Sequence, residues 1–151
     1  MIKKILVPTD GSATSRKAAQ YAYNLAALSG GSVTLLSVIN RNAFIGKPTI
    51  PATETPTHIV EPLEDFLRQA AEQDMRDLEK LGEQKGIMTN MIIRYGHPVE
   101  EITREAEKEK ADLIVMGSHG KSALTAAVLG SVTFGVIHTD TKMPVLIVRR
   151  S

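Results

Sequence analysis

Four small residues near the C-terminus have the spacing of a phosphate-binding loop. Two residues separate Gly117 from Gly120, and nine more lead to Gly130 and Ser131. Glycine lets the backbone approach phosphate oxygens and adopt positive φ where needed, and consecutive exposed amides form an anion-binding concavity. A helix is predicted to begin at Gly130, so its free amides and positive end would face the same space. The spacing therefore predicts polyphosphate binding, although glycines that only turn the chain would give the same pattern.

Polar residues near these glycines extend the predicted site. Ser131 and Thr133 can donate hydroxyl hydrogen bonds to phosphates. Asp10 follows the first predicted strand, where its carboxylate could accept from ribose hydroxyls or could instead cap a helix. Residues 117–122 are two residues short of the P-loop pattern G-x-x-x-x-G-K-[ST]. We therefore interpret Lys121 as a solvated or phosphate-neighbouring lysine, not a catalytic one.

The histidines and the missing cysteines argue against other chemistries. The chain has no cysteine, which excludes thiolate zinc sites and a cysteine nucleophile. No two of its four histidines have metal-ligand spacing on one helix. Ser118 and His119 are neighbours, but no carboxylate lies nearby in sequence to orient the imidazole, so a Ser-His hydrolase is not predicted. Within the glycine loop, His119 is the histidine placed to contact a ligand.

Short aliphatic runs alternate with helical patterns, and this order indicates which elements carry the loop. The predicted strands are residues 5–7, 33–39, 91–93, 113–116 and 144–148. The predicted helices are residues 15–26, a segment opened by Glu61-Pro62, a short one from His97-Pro98, and residues 131–138. Strands that alternate with helices predict one α/β domain with a parallel, doubly wound sheet. Ligands of such sheets bind beyond the carboxyl ends of the strands, where the strand order reverses.

Length and charge narrow the functional classes further. The 151 residues suit one domain, and the formal net charge is +1 with both signs spread along the chain. We therefore expect no nucleic-acid partner. No apolar stretch approaches the ~20 residues of a membrane helix, and the first residues do not resemble a signal peptide. The expectation is a cytoplasmic protein. Residues 40–57 are rich in Pro and Gly and predict a long loop.

Four blocks of sequence, in the right order, resemble the universal stress protein family over essentially the whole chain. They are residues 5–12, 112–120, 129–132 and 144–148. The resemblance implies one universal stress protein domain spanning 1–151. It also implies a Rossmann-like fold of the adenine nucleotide alpha hydrolase type, with an open parallel five-stranded sheet ordered 3-2-1-4-5 and helices on both faces. The G-x2-G-x9-G-[S/T] pattern marks the ATP-binding branch of the family.

The resemblance also assigns site residues to an adenine nucleotide: ATP, or AMP or ADP, with Mg²⁺ or Mn²⁺ held by the phosphates. Asp10 would lie beside the adenine or ribose, and Val38 would contact adenine through its backbone. The other implied contacts are Pro8 and Thr9 in the pocket lining, Met116 and Gly117 at the ribose, and Gly120, Gly130, Ser131 and Val132 at the phosphates. Ala123 departs from the family, which often has glycine after the position of Ser122.

Three functions remain open at this level. The first is an ATP-binding, homodimeric stress-survival protein that pairs through its C-terminal strand and is sensed by a regulatory partner. The second is a slow ATPase or nucleotidyl-transfer enzyme on the same scaffold. Transfer chemistry would need a base, a cationic clamp and a held metal, and the loop contains no arginine. The third is a dimeric interaction protein that binds no nucleotide.

Overall fold

The computed structural model describes residues 1–40, 57–120, 129–139 and 142–150, and side chains in the second helix from Pro62 onward. The strands are β1 (Lys4–Pro8), β2 (Ser32–Ile39), β3 (Thr89–Tyr95), β4 (Leu113–Gly117) and β5 (Val145–Val148). The helices are α1 (Ala13–Ser29), α2 (Thr57–Gln84), α3 (Pro98–Lys108) and α4 (Ser131–His138).

The five strands form one parallel sheet in the order β3-β2-β1-β4-β5. This confirms the predicted architecture and strand order. The chain leaves β1 toward β2 and β3 on one side, and it returns to β4 and β5 on the other. The order therefore reverses between β1 and β4, and the crevice beyond their carboxyl ends is where such folds bind ligands.

Successive side chains of a strand pack into two hydrophobic cores, one on each face of the sheet. On β1, Ile5 and Val7 point into the core that contains buried residues of α1 and α2, whereas Leu6 points into the core beneath α3 and α4. This alternation follows from the period of two in a strand. All five residues of β4 are buried, as expected for a central parallel strand covered on both faces.

Helix α1 begins and ends where local chemistry predicts. Ser12 caps its N-terminus by accepting a hydrogen bond from the backbone N–H of Ser15 at 3.1 Å. Gly30 ends the helix with a φ of 70°, and its N–H donates to the carbonyl of Ala26. A residue with a Cβ rarely adopts that φ, so glycine is required there.

Helix α2 differs from the prediction at its N-terminal half. It starts at Thr57, so Pro62 is its sixth residue and lies inside it rather than at its first position, and Thr57 belongs to the helix rather than to the predicted loop. Proline's fixed φ is helical, and one missing donor near the start leaves the later turns intact. Phe66 in this half is 66% exposed, whereas Met75 and Leu78 further along the helix are buried. The rest of the predicted loop, residues 41–56, lies outside the described residues.

Helix α3 is tied to β3 by an ion pair that periodicity did not indicate. Glu105 is buried and receives two hydrogen bonds from the guanidinium of Arg94, at 3.1 and 3.2 Å. Glu105 shares its helix face with the predicted inward residues Ile102 and Ala106. Because a buried carboxylate without a partner is strongly destabilising, this bidentate pair holds α3 against the sheet beside the crevice.

Candidate functional site

The loops after β1 and β4 meet at the point where the strand order reverses. A Cβ built on Gly120 would overlap the Oδ2 atom of Asp10, so the two loops are in close contact. Gly117 is equally confined, because a Cβ there would lie 2.6 Å from Cγ2 of Thr14 on α1. Neither glycine has positive φ. Their small size is therefore required for close approach of neighbouring segments, and for Gly117 that neighbour is a helix.

A cavity opens at this junction, bounded by the ends of β1, β2 and β4 and by α3 and α4. Most of the residues predicted to bind a ligand line it: Pro8, Thr9, Asp10, Val38, Met116, Gly117, His119, Gly120, Val132 and Thr133. Residues that the sequence did not single out also contribute to its wall: Ser15, Leu36, Pro98 and Ile102. Several apolar lining residues belong to the second core, so part of the cavity wall is apolar and part is polar: Leu36, Val38, Ile102, Met116 and Val132.

The remaining two predicted residues, Gly130 and Ser131, lie at the start of α4 beside this cavity. The N–H of Gly130 donates to the carbonyl of Ser118 at 2.8 Å, and the hydroxyl of Thr133 donates to the carbonyl of Gly117 at 2.8 Å. These two bonds join the N-terminus of α4 to the end of β4. Gly130 is the N-cap and provides no side-chain cap. The first amides of a helix have no intrahelical partner, so this end of α4 suits an anion.

Gly130 needs no special backbone angle, since its φ is −60°. A Cβ there would stand 3.4 Å from Cα of His119 and 3.4 Å from the carbonyl oxygen of Ser118, which is ordinary contact. The reason for glycine expected from positive φ thus does not apply at this position. A larger side chain would still project from the first turn of α4, next to the loop after β4.

The capping alternative for Asp10 is resolved by its contacts. Ser12, not Asp10, caps α1, and Oδ1 of Asp10 accepts the backbone N–H of Ser12 at 3.0 Å. This bond closes a short side-chain turn after β1. The carboxylate is thereby held at the cavity wall against Gly120. From that position the carboxylate of Asp10 can bind a cation or a ribose hydroxyl. It is not needed to cap α1, because Ser12 does so.

Asp74 of α2 is a polar contact of the site that the sequence did not reveal. Its Oδ2 atom accepts a hydrogen bond from the hydroxyl of Thr9 at 3.0 Å, and the same hydroxyl lies 3.2 Å from that of Ser15. The backbone N–H of Thr9 donates to Leu36 at 2.8 Å. The loop after β1 is therefore anchored to α1, α2 and β2. One signal was available, because Asp74 interrupts the apolar stripe of α2 four residues before Leu78.

Ser118 and His119 interact directly, although adjacent residues were not expected to do so. The hydroxyl of Ser118 lies 2.8 Å from Nδ1 of His119, and both residues are buried. No hydrogen bond from this imidazole to a carboxylate is present in the described part of the chain. Lys121, Ser122 and Ala123 lie outside the described residues.

Comparison with known proteins gives a consistent result. A profile of the Universal stress protein family matches residues 1–149. Universal stress protein MJ0577 of Methanocaldococcus jannaschii is 36% identical over 157 residues, which covers 99% of this chain and 96% of that protein. The chain belongs to the universal stress protein family. The solved structure of MJ0577 superposes on this universal stress protein with a TM-score of 0.81 and 38% identity, covering 100% and 98% of the two chains.

Two further structures share the fold of this universal stress protein. Universal stress protein UspA from Lactobacillus plantarum has a TM-score of 0.84 at 25% identity, covering 98% of each chain. A universal stress protein solved in complex with cAMP has a TM-score of 0.68 at 24% identity, covering 99% and 98% of the two chains.

The helices within the described residues include none with the length and apolar character of a membrane span.

Proposed function

We propose that this universal stress protein binds ATP in the cavity between β1 and β4 and acts in the cytoplasm as a nucleotide-dependent stress-survival protein. The observation that carries the proposal is the junction itself. Three features meet at the one reversal of strand order in the described sheet. They are the N-terminus of α4, which has no side-chain cap, the end of β4, and the carboxylate of Asp10. Adenine-nucleotide binding by this fold has a precedent in the universal stress protein solved with cAMP.

The cavity's two sides suggest how the nucleotide lies. Val38, Ile102 and Met116 belong to the second core and offer an apolar slot of the kind that an adenine ring fills. The backbone of Val38 would supply the base with hydrogen bonds. Asp10 lies at the cavity wall against Gly120, and from there its carboxylate would accept hydrogen bonds from the ribose hydroxyls.

We assign the phosphate chain to the N-terminus of α4. There the amides of Ser131, Val132 and Thr133 follow the side-chain-free cap Gly130. An anion at such a terminus gains from both the free N–H groups and the helix dipole. Mg²⁺ or Mn²⁺ would be held by the phosphate oxygens, because Mg²⁺ is usually bound through substrate phosphates and few carboxylates.

We infer slow or no phosphoryl transfer, so the enzyme alternative ranks second. Rapid transfer needs a base or water-positioning group and a cationic clamp on the transferred phosphoryl group. No arginine or lysine is found among the described residues that line the cavity. Asp10, the carboxylate of that wall, already accepts the N–H of Ser12. The bound state, rather than turnover, would be the signal that a regulatory partner reads.

We also propose a homodimer through β5. This strand pairs with β4 on one side, and no described strand pairs with its other side. Leu146 is 37% exposed, and a groove between α1 and β5 is lined by Tyr21, Leu146 and Ile147. Soluble proteins normally cover or pair such an edge. A second copy of β5 would satisfy both its backbone groups and its apolar side chains.

The experiment that tests the proposed ligand combines release and titration. Nucleotide freed from denatured, freshly purified protein is identified by mass, and ATP binding to ligand-free protein is measured by calorimetry. Gly130→Val, which places a branched side chain at the start of α4, should abolish ATP binding while the protein keeps its melting transition. Absence of any adenine nucleotide binding by the parent would favour the interaction-protein alternative. Turnover of ATP at about 1 s⁻¹ or faster, an ordinary enzyme rate, would favour the enzyme.

A further inference from the structure

The imidazole of His119 carries a hydrogen-bonding atom that the described residues leave unsatisfied. His119 is 6% exposed and lines the cavity. Its Nδ1 atom is 2.8 Å from the hydroxyl of Ser118, whereas its Nε2 atom is buried and has no hydrogen-bond partner among the described residues. A buried polar atom without a partner is destabilising, because it has lost its hydrogen bonds to water without replacing them. An atom of this kind at a binding cavity is explained if a ligand completes it.

The contact with Ser118 determines what kind of partner Nε2 requires. A neutral imidazole has one N–H and one bare nitrogen, and the hydrogen bond at one nitrogen decides the state of the other. Ser118 is 3% exposed, and Nδ1 of His119 is the hydrogen-bond partner that the described residues give its hydroxyl. We assign the hydroxyl proton to Nδ1, because a buried hydroxyl proton needs an acceptor. The ring proton then resides on Nε2, which makes Nε2 a donor.

The position of His119 indicates which part of a nucleotide it meets. Its Cα would be 3.4 Å from a Cβ at Gly130, the N-cap of α4. The backbone of His119 therefore lies beside the N-terminus of α4, where the helix amides converge. The ligand groups expected there are phosphate oxygens, which are acceptors. A neutral N–H donor and the helix N-terminus are complementary to the same charge.

We propose that Nε2–H of His119 donates a hydrogen bond to the phosphate chain of the bound nucleotide, and that Ser118 is a positioning residue that keeps the proton on Nε2. The proposal rests on the proposed nucleotide site and adds to it the contact and the tautomer that contact requires. Ser118 contributes no ligand contact of its own. Its effect on binding passes through the imidazole.

Substitutions at the two positions separate these roles. His119→Phe keeps an aromatic ring but removes the donor, so it should weaken ATP binding by about ten- to hundredfold, the scale of a hydrogen bond to a charged group. It should leave adenosine binding within about twofold. Ser118→Ala should weaken ATP binding by a smaller factor, and Ser118→Thr, which keeps the hydroxyl, should restore it. In a His119→Phe background, Ser118→Ala should have no further effect. An independent loss there, or an equal loss for adenosine, would overturn the proposal.

Nitrogen NMR of the protein labelled at histidine gives a second readout that purely structural changes would not imitate. The His119 ring should be Nε2-protonated in the free parent and a mixture of tautomers in Ser118→Ala, while His97 serves as the internal reference. ATP should shift the Nε2 resonance, and adenosine should not. An Nδ1-protonated ring in the parent would refute the assignment even if ATP binds. Failure of the parent to bind ATP at all would instead reject the nucleotide site.

Discussion

The carboxylate of Asp10 rests directly against Gly120, so that a Cβ on Gly120 would overlap its Oδ2 atom. These residues are on loops that follow different strands, β1 and β4, on either side of the reversal in strand order. The contact holds two walls of the cavity at a fixed separation. It also gives Gly120 a structural function that does not depend on any bound phosphate.

Gly120→Ala should therefore reduce both stability and binding. The added methyl group must displace the Asp10 side chain or the loop, and such overpacking typically costs about 1–3 kcal/mol. Chemical denaturation measures the loss of stability, and titration with ATP measures the loss of affinity. Gly130→Ala is the matched control for the stability measurement alone, because its Cβ would find ordinary contacts. A Gly120→Ala protein as stable as the control would contradict the tight contact.

Asp10 and Ser12 should have separable effects, since only Ser12 caps α1. Asp10→Ala should weaken ATP and AMP binding alike, by about 1.5–3 kcal/mol, the scale for a hydrogen bond to a charged group. Ser12→Ala should lower the free energy of unfolding by about 1 kcal/mol, the usual cost of a lost N-cap, and should leave affinity unchanged. Calorimetric titration and denaturation of both variants provide the comparison. Unaltered ATP affinity in Asp10→Ala would remove Asp10 from the ribose contacts.

The dimer prediction is tested by proline at alternate positions of β5. The carbonyls of Pro144 and Val148 accept hydrogen bonds from β4. Successive residues of a strand direct their backbone groups to opposite sides, so the N–H of Ile147 faces the free edge. Ile147→Pro should therefore remove a donor used by a second copy and shift the protein to monomer, while the β4–β5 ladder survives.

Light scattering at micromolar concentration measures that shift. Leu146→Pro is the contrasting variant, because its N–H faces β4 and its loss should disturb the sheet and lower the melting temperature. A monomeric parent would refute pairing through β5. So would an Ile147→Pro protein that remains a dimer.

Asp112 should make stability depend on acid pH. Its Oδ2 atom accepts the backbone N–H groups of Lys3 and Lys4, both at 2.9 Å, and these bonds lower the pKa of the carboxyl in the folded state. The unfolded chain then binds the proton more readily, so the stabilising contribution is present above the unfolded pKa and is lost as pH falls through the folded one.

Asp112→Asn should be less stable than the parent at pH 7, and the difference should shrink as the pH falls below about 4, the region of an ordinary aspartate pKa. Denaturation at a series of pH values measures it. Asp65→Asn, an exchange of the same kind at an exposed side chain of α2, is the control. A difference that stays constant with pH would mean that the two N–H bonds do not depend on the charge.

Local patterns were enough to predict the sheet, its flanking helices and the caps of α1. Strand alternation, the serine before α1 and the glycine after it act over a few residues, so their physical effect is present in the sequence itself. The spacing of Gly117, Gly120 and Gly130 likewise placed a loop at the end of β4. The family resemblance supplied the strand order, which periodicity does not contain.

Contacts between distant segments were decided by packing alone. Thr9 and Asp74 are 65 residues apart, and Arg94 meets Glu105 across a strand and a helix. The neighbouring sequence does not distinguish these charged residues from solvent-exposed ones, because their partners depend on how the helices pack against the sheet.

The glycines of the loop show most clearly what the sequence predicts and what only packing determines. Their spacing could be read from the sequence, but the reason for each glycine could not. None of Gly117, Gly120 and Gly130 has the positive φ that glycine allows. The first two are glycine because Thr14 and Asp10 occupy the space beside them. The sequence alone thus determined the fold and predicted a glycine loop after β4. Tertiary packing determined which atoms line the cavity there, since only packing brings segments from opposite ends of the chain within contact distance.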